Sequence, residues 1–79
     1  MMRIDLSKPA KKFILRLTEK EQKRVLNAIY KLPAGNVIPL KGRNGEFRLR
    51  LGDWRVVFEY RERDFIFVVG IDNRGDAYK

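Results

Sequence analysis

The hydrophobic period of this chain changes once, between Pro33 and Gly45, and that change constrains the fold more than any other feature. Before it, apolar residues recur at helical spacing: Phe13, Ile14 and Leu17, then Val25, Leu26, Ile29 and Leu32. After it they alternate. In Glu46-Phe47-Arg48-Leu49-Arg50-Leu51, the residues Phe47, Leu49 and Leu51 fall on one face of a strand, Arg48 and Arg50 on the other. A chain of 79 residues is too short for two ordinary domains. Residues 1–79 are therefore read as one α+β domain, helices first and sheet after, with the helices covering one sheet face to bury their apolar stripes.

Residues 2–6 read as a short first strand ending at Ser7. Pro9 suits the first turn of a helix, where its missing N–H costs nothing, and a helix is expected over Ala10–Leu17. Thr18-Glu19-Lys20-Glu21 carries the capping-box pattern and should open a second helix running to about Leu32, stopped by Pro33-Ala34-Gly35-Asn36. The two helices have almost no linker, so they should form an antiparallel hairpin. Pro39 to Gly45 reads as a loop. Glu46–Leu51 and Trp54–Tyr60 flank a Gly52-Asp53 turn, and a charged turn at Arg61–Asp64 leads into Phe65–Ile71. That last run is nearly all apolar, as a central strand would be. Asn73–Asp76 is another turn, and Ala77-Tyr78-Lys79 a short terminal segment. The three hairpin-linked strands predict a small antiparallel sheet.

The chain has no cysteine and no histidine, which removes disulfides, thiolate metal sites and the usual neutral-pH base. No metal site or small-molecule cofactor is expected. No apolar run reaches the roughly 18 residues a membrane span needs, and the first residues lack the apolar block of a signal peptide. These features favour a reducing cytoplasm and no membrane partner. The net charge is +8 and unevenly spread: residues 1–40 hold 9 basic and 3 acidic residues, residues 41–79 hold 9 and 7. Such an excess suits a polyanionic partner, although a basic helix face is also what a solvated helix shows.

Arg48 and Arg50, with Arg55 across the Gly52-Asp53 turn, are the candidate chemistry. Guanidiniums on neighbouring strands repel one another, so they face either solvent and stray carboxylates or an anion. They bind phosphate with paired hydrogen bonds and keep their charge. Trp54 either packs at the core rim or stacks on a base, and Tyr78 stands beside the basic strip near the end of the sequence. Lys41, Arg43 and Arg74 occupy turns or loops and serve either as phosphate contacts or as solubilising residues. Gly42-Arg43-Asn44-Gly45 is not a P-loop, because Lys-Ser/Thr does not follow. Arginines, lysines and a tyrosine suit metal-free phosphodiester cleavage, in which the RNA 2′-hydroxyl is the nucleophile and the cations stabilise the phosphorane.

Pro39-Leu40-Lys41-Gly42, the run Phe47–Phe58 containing Arg-x-Arg-x-Gly-Asp-Trp-Arg-Val, and the ending Arg74-Gly75-Asp76-Ala77-Tyr78 together resemble the RelE/ParE superfamily of toxins from type II toxin–antitoxin pairs. The likeness spans the chain. It implies a microbarrel-like α+β fold and, for the RelE branch, a ribosome-dependent endoribonuclease that cuts mRNA and so inhibits translation. By motif position, Arg48 and Arg50 match residues that hold the scissile phosphate, and Arg55 the arginine that stabilises the transition state. Tyr78 matches a C-terminal tyrosine that stacks on a base and orients the nucleophile; Arg74 and Lys41 match further basic positions. Asp72 stands where some active members are basic, and a histidine base found in some is absent. The implied partners are a cognate acidic antitoxin, the ribosome and mRNA. Two alternatives share the fold: a ParE-type inhibitor of DNA gyrase without nuclease activity, and an inactive module that only binds antitoxin or ribosome.

Overall fold

A computed structural model describes residues 2–40 and 45–73. Its elements run β1 (Arg3–Leu6), α1 (Lys8–Leu15), α2 (Glu19–Tyr30), β2 (Val37–Pro39), β3 (Glu46–Leu51), β4 (Trp54–Glu62) and β5 (Phe65–Asn73). Side chains set both helix starts. The Ser7 hydroxyl accepts the Ala10 N–H at 3.2 Å and begins α1 two residues earlier than expected, with Pro9 in its first turn. The Thr18 capping box is closed in both directions, Glu21 N–H to Thr18 Oγ1 at 3.2 Å and Thr18 N–H to Glu21 Oε1 at 3.0 Å.

The five strands form one sheet in the order β1-β5-β4-β3-β2. The β3–β4–β5 meander is antiparallel, whereas β1 lies parallel to β5, so the sheet is mixed. The middle position belongs to β4; β5 is interior but one place nearer the edge than a central strand. β2 was not anticipated: three residues of the expected loop region and its approach pair with Leu49, Arg48 and Phe47. A strand that short carries no detectable alternation, and it exists because the chain after α2 returns beside β3.

Both helices pack on one face. Ala10 and Ile14 of α1, Val25 and Ile29 of α2, and Leu32 meet Leu49, Val56, Phe58, Ile66, Val68 and Ile71, all buried. The core-facing residues of β5 change from even to odd because Val57 pairs with Gly70 while Phe58 pairs with Val68, leaving Val69 as a bulge. The Ser7 hydroxyl donates to the Val69 carbonyl at 2.6 Å and pins that bulge to the start of α1.

The opposite face has no helix over it among the described residues. Phe65 and Phe67 lie there, each under a guanidinium: Arg3 stands 4.3 Å from the Phe65 ring centroid and Arg61 4.3 Å from that of Phe67. This explains why β5 reads as apolar throughout. One face is covered by helices and the other by the planar ends and stems of arginines.

Candidate functional site

Alternation along β3 and β4 carries Arg48, Arg50 and Arg55 to the helix-free face. Arg50 is directly opposite Arg55, and Arg55 is directly opposite Asp72, so the three form one row across β3, β4 and β5. Arg48 pairs with Val57, which pairs with Gly70, making the next row and leaving Arg48 diagonal to Arg55. Directly opposed Cβ atoms stand about 5 Å apart and diagonal ones about 7 Å, so all three guanidiniums can reach a common point. Arg50 is exposed; Arg48 and Arg55 are half-buried, and the Arg48 Nε is enclosed without a hydrogen-bond partner among the described residues. No described residue fills the space where a Gly70 side chain would stand, beside Val57.

The same face carries carboxylates. Glu46 lies opposite Glu59, Arg61 pairs with Glu59 at 2.7 Å, and Arg3 with Asp5 at 3.2 Å. The acids therefore gather toward β1 and the far end of β4, and the arginines toward the Gly52 turn, with Asp72 beside Arg55. Guanidiniums grouped in this way are able to bind a phosphate with paired hydrogen bonds. A guanidinium can stabilise charge on a phosphorane but cannot take a proton.

Trp54 does not join them. It pairs with Leu51 and Asn73 on the helix-bearing face, half-buried, with the Arg24 guanidinium 5.7 Å from its ring centroid. Lys41, Arg43, Arg74 and Tyr78 lie outside the described residues. Three features are not expected from the sequence: Asp72 in the arginine row, Arg3 and Arg61 as covers for phenylalanines, and Arg24 reaching the β3–β4 turn. Only the first had a usable signal, namely its place on the strand following the arginine pair.

Two helices on one face of a five-stranded mixed sheet, with arginines drawn together on the other, define a RelE/ParE superfamily toxin fold. A family model described as "ParE toxin of type II toxin-antitoxin system, parDE" matches residues 4–78, and the chain belongs to that family. Among solved structures it is similar to the archaeal RelE–RelB complex from Pyrococcus horikoshii OT3, with 27% identity over 94% of this chain and 96% of that one, at a TM-score of 0.74. The RelB–RelE antitoxin–toxin complex of Methanococcus jannaschii superposes at 0.75, with 19% identity over 92% and 93% of the chains. The intact E. coli RelBE complex superposes at 0.70, with 16% identity over 92% and 96%. The last two speak to the fold. No curated protein sequence matches the chain.

Proposed function

We propose that this toxin is a ribosome-dependent mRNA endoribonuclease of the RelE kind. The observation that carries the reading is the grouping of Arg48, Arg50 and Arg55 on the sheet face opposite α1 and α2. In the reaction, the ribose 2′-oxygen attacks the adjacent phosphorus and the bond to the 5′-oxygen breaks. The products are a 2′,3′-cyclic phosphate and a 5′-hydroxyl end; the 2′-hydroxyl proton leaves to an acceptor and the departing 5′-oxygen is protonated. Arg48 and Arg50 hold the non-bridging oxygens, Arg55 stabilises the pentavalent charge, and Tyr78 stacks on a base and orients the nucleophile. Lys41, Arg43 and Arg74 act as outer phosphate contacts. The arginines stay protonated, so the proton goes to solvent or to one of the face's carboxylates, of which Asp72 is nearest in register to Arg55.

The neutralising partner is a cognate acidic antitoxin, as the similar archaeal and E. coli proteins were solved in complex with RelB or as RelBE. A surface for it lies along the helical hairpin. Leu15 is 75% exposed, and an apolar hollow of about 300 Å³ runs between Leu6, Ile14, Leu15 and Leu26 with Lys11 at its rim. Acidic, partly disordered chain that buries apolar side chains there would stabilise a small domain by mass action. A cytoplasmic site of action follows from a ribosomal target.

A second reading is favoured by the family match itself, which is to ParE: inhibition of DNA gyrase by protein contact, without cleavage. Pulse-labelling of protein and DNA synthesis after induction of wild type and Arg55→Ala, with primer extension on a reporter mRNA, separates the two. The ribonuclease reading expects an immediate stop in translation with new mRNA ends, both lost in a folded Arg55→Ala variant. Intact mRNA with falling DNA synthesis supports gyrase inhibition. Harmless overexpression would leave a binding module.

A further inference from the structure

The sheet and α2 leave a groove of about 430 Å³, of whose lining only Arg50 has a role above. Half of its lining is small or apolar: Leu49, Leu51 and Ala28 lie deeper, and Ala34 and Gly35 are exposed. Gly35 holds φ +117°, and a Cβ there would stand 2.9 Å from Leu49 Cδ1, so the loop after α2 lies flat on β3 only because residue 35 has no side chain. The rim is cationic and polar: Arg24 and Lys31 of the α2 side, Asn27 between them, and Arg50 and Asn36 opposite. The Arg50 N–H donates to the Asn36 carbonyl at 3.0 Å, which ties the far wall to the strand.

Arg24, Lys31 and Arg50 are exposed, and none has an ion pair with a carboxylate of the described residues. Other exposed cations, such as Lys12, Lys20 and Arg63, are unpaired too, so what sets these three apart is the apolar groove that they border together. Seven residues of helix separate Arg24 from Lys31, about 10 Å of axial rise, with the small Ala28 between. Two cations about 10 Å apart along the α2 side, with a third across an apolar lining, match an unpaired nucleotide, whose base needs a flat apolar seat and whose phosphates need cations. The carboxyl end of α2 bears partial negative charge, and Lys31 at that end restores the positive potential that a phosphate needs there. Arg50, beside Asn36 and just past the pairing of β2 with β3, also belongs to the arginine row and is the residue that the two surfaces share.

We infer that the groove between α2 and β3 is a second RNA-binding site, in which Arg24, Lys31 and Arg50 hold the backbone of a single strand while one base rests on the Ala28–Ala34–Leu49 floor. The inference builds on RNA as the target of this toxin, but it requires only binding, not cleavage. The probe is a short single-stranded RNA, 2′-O-methylated throughout so that it cannot be cut, followed by fluorescence anisotropy as salt is raised from about 0.05 to 0.2 M. Removing two phosphate contacts in Arg24→Gln/Lys31→Gln should lower the salt slope by about 1.4, which is about 25-fold weaker binding at 0.1 M. Ala34→Phe fills the floor without changing charge, and should weaken binding while leaving the slope unaltered. Circular dichroism and a melting curve establish that each variant is folded.

Wild-type affinity and slope in both variants would overturn the inference, as would failure of the wild type to bind. Loss of slope with an unaffected Ala34→Phe variant would also overturn it, since phosphates would then cross the rim with no base in the groove. A double variant that keeps RNA affinity but loses an acidic antitoxin segment would hand the groove to that partner and refute RNA. None of these results depends on whether the chain cleaves mRNA in cells, so the two readings fail separately.

Discussion

Replacing Arg50 with glutamine should make the isolated domain more stable while weakening its hold on phosphate. Arg50 and Arg55 are directly opposed on antiparallel strands, and Arg48 is diagonal to Arg55. Their Cβ atoms stand about 5 Å apart, and the long side chains splay their charges to roughly 8 Å. At that separation two unit charges repel by about 0.5 kcal/mol in water and about 2 kcal/mol at an effective dielectric constant of 20. Arg50 is exposed, so the lower end applies, and Arg48, two residues before it on the same strand face, adds a similar or smaller amount. The gain at low ionic strength is then about 0.5–1 kcal/mol, or roughly 2–8 °C in melting temperature for a domain of this size. The backbone bond from the Arg50 N–H to the Asn36 carbonyl survives the change. The assay is thermal unfolding by circular dichroism in low salt and again in 1 M salt, where a screening length of about 3 Å should erase most of the gain. Arg63→Gln, in the β4–β5 turn, is the matched control and should shift little. An Arg50→Gln variant that melts no higher than wild type in low salt, or whose gain persists unchanged in 1 M salt, would refute the view that these arginines strain the free domain.

Phe58, the largest fully buried side chain, stacks on Phe47 with centroids 5.7 Å apart; Phe58→Ala should cost about 3–5 kcal/mol, read as a large drop in urea midpoint or outright unfolding. A loss below about 1 kcal/mol would mean that the helix-bearing face is not the core. At Gly52, φ is +58° and a Cβ would stand 3.1 Å from an Arg24 guanidinium nitrogen, so Gly52→Ala should lose about 1–2 kcal/mol in thermal melts. Gly70→Ala, with ordinary φ and open space, should stay close to wild type, and equal losses at both glycines would contradict the backbone argument.

Much of the fold was legible because its signals are local. The Thr18–Glu21 box, the Gly52-Asp53 turn and the alternation through Glu46–Leu51 each act over a few residues, and each appears where the sequence puts it. What escaped depends on distant contacts. The period of residues 3–6 cannot say that they pair with residues 65–68, nor that the pairing is parallel. β2 has three residues, too few for any period, and its strand character comes from β3 beside it. The apolar run in β5 has the pattern of a strand buried on both faces, and its second cover is Arg3 and Arg61. At the site, alternation was enough to bring Arg48, Arg50 and Arg55 to one face. The same rule, applied to Trp54, puts it on the other, because its neighbour Arg55 occupies the open side. Arg24 and Lys31 read as one solvated helix face, and only the packing of α2 against β3 makes them a rim.

The bulge at Val69 decides more of the site than any charged residue does. In an unbroken strand, Ile66 and Val68 facing the helices would be followed inward by Gly70 and Asp72, and Ile71 would lie beside the arginines. The extra residue reverses this. Ile71 enters the core at 5% exposure, and Asp72 arrives on the open face opposite Arg55. A buried, unpaired aspartate would cost the fold several kcal/mol, so the bulge is required by the core as much as by the site. Its anchor is the Ser7 hydroxyl, which caps α1 with one contact and holds the Val69 carbonyl with another. The start of the first helix thus fixes the register of the last strand, and through it the placing of the one carboxylate in the arginine row.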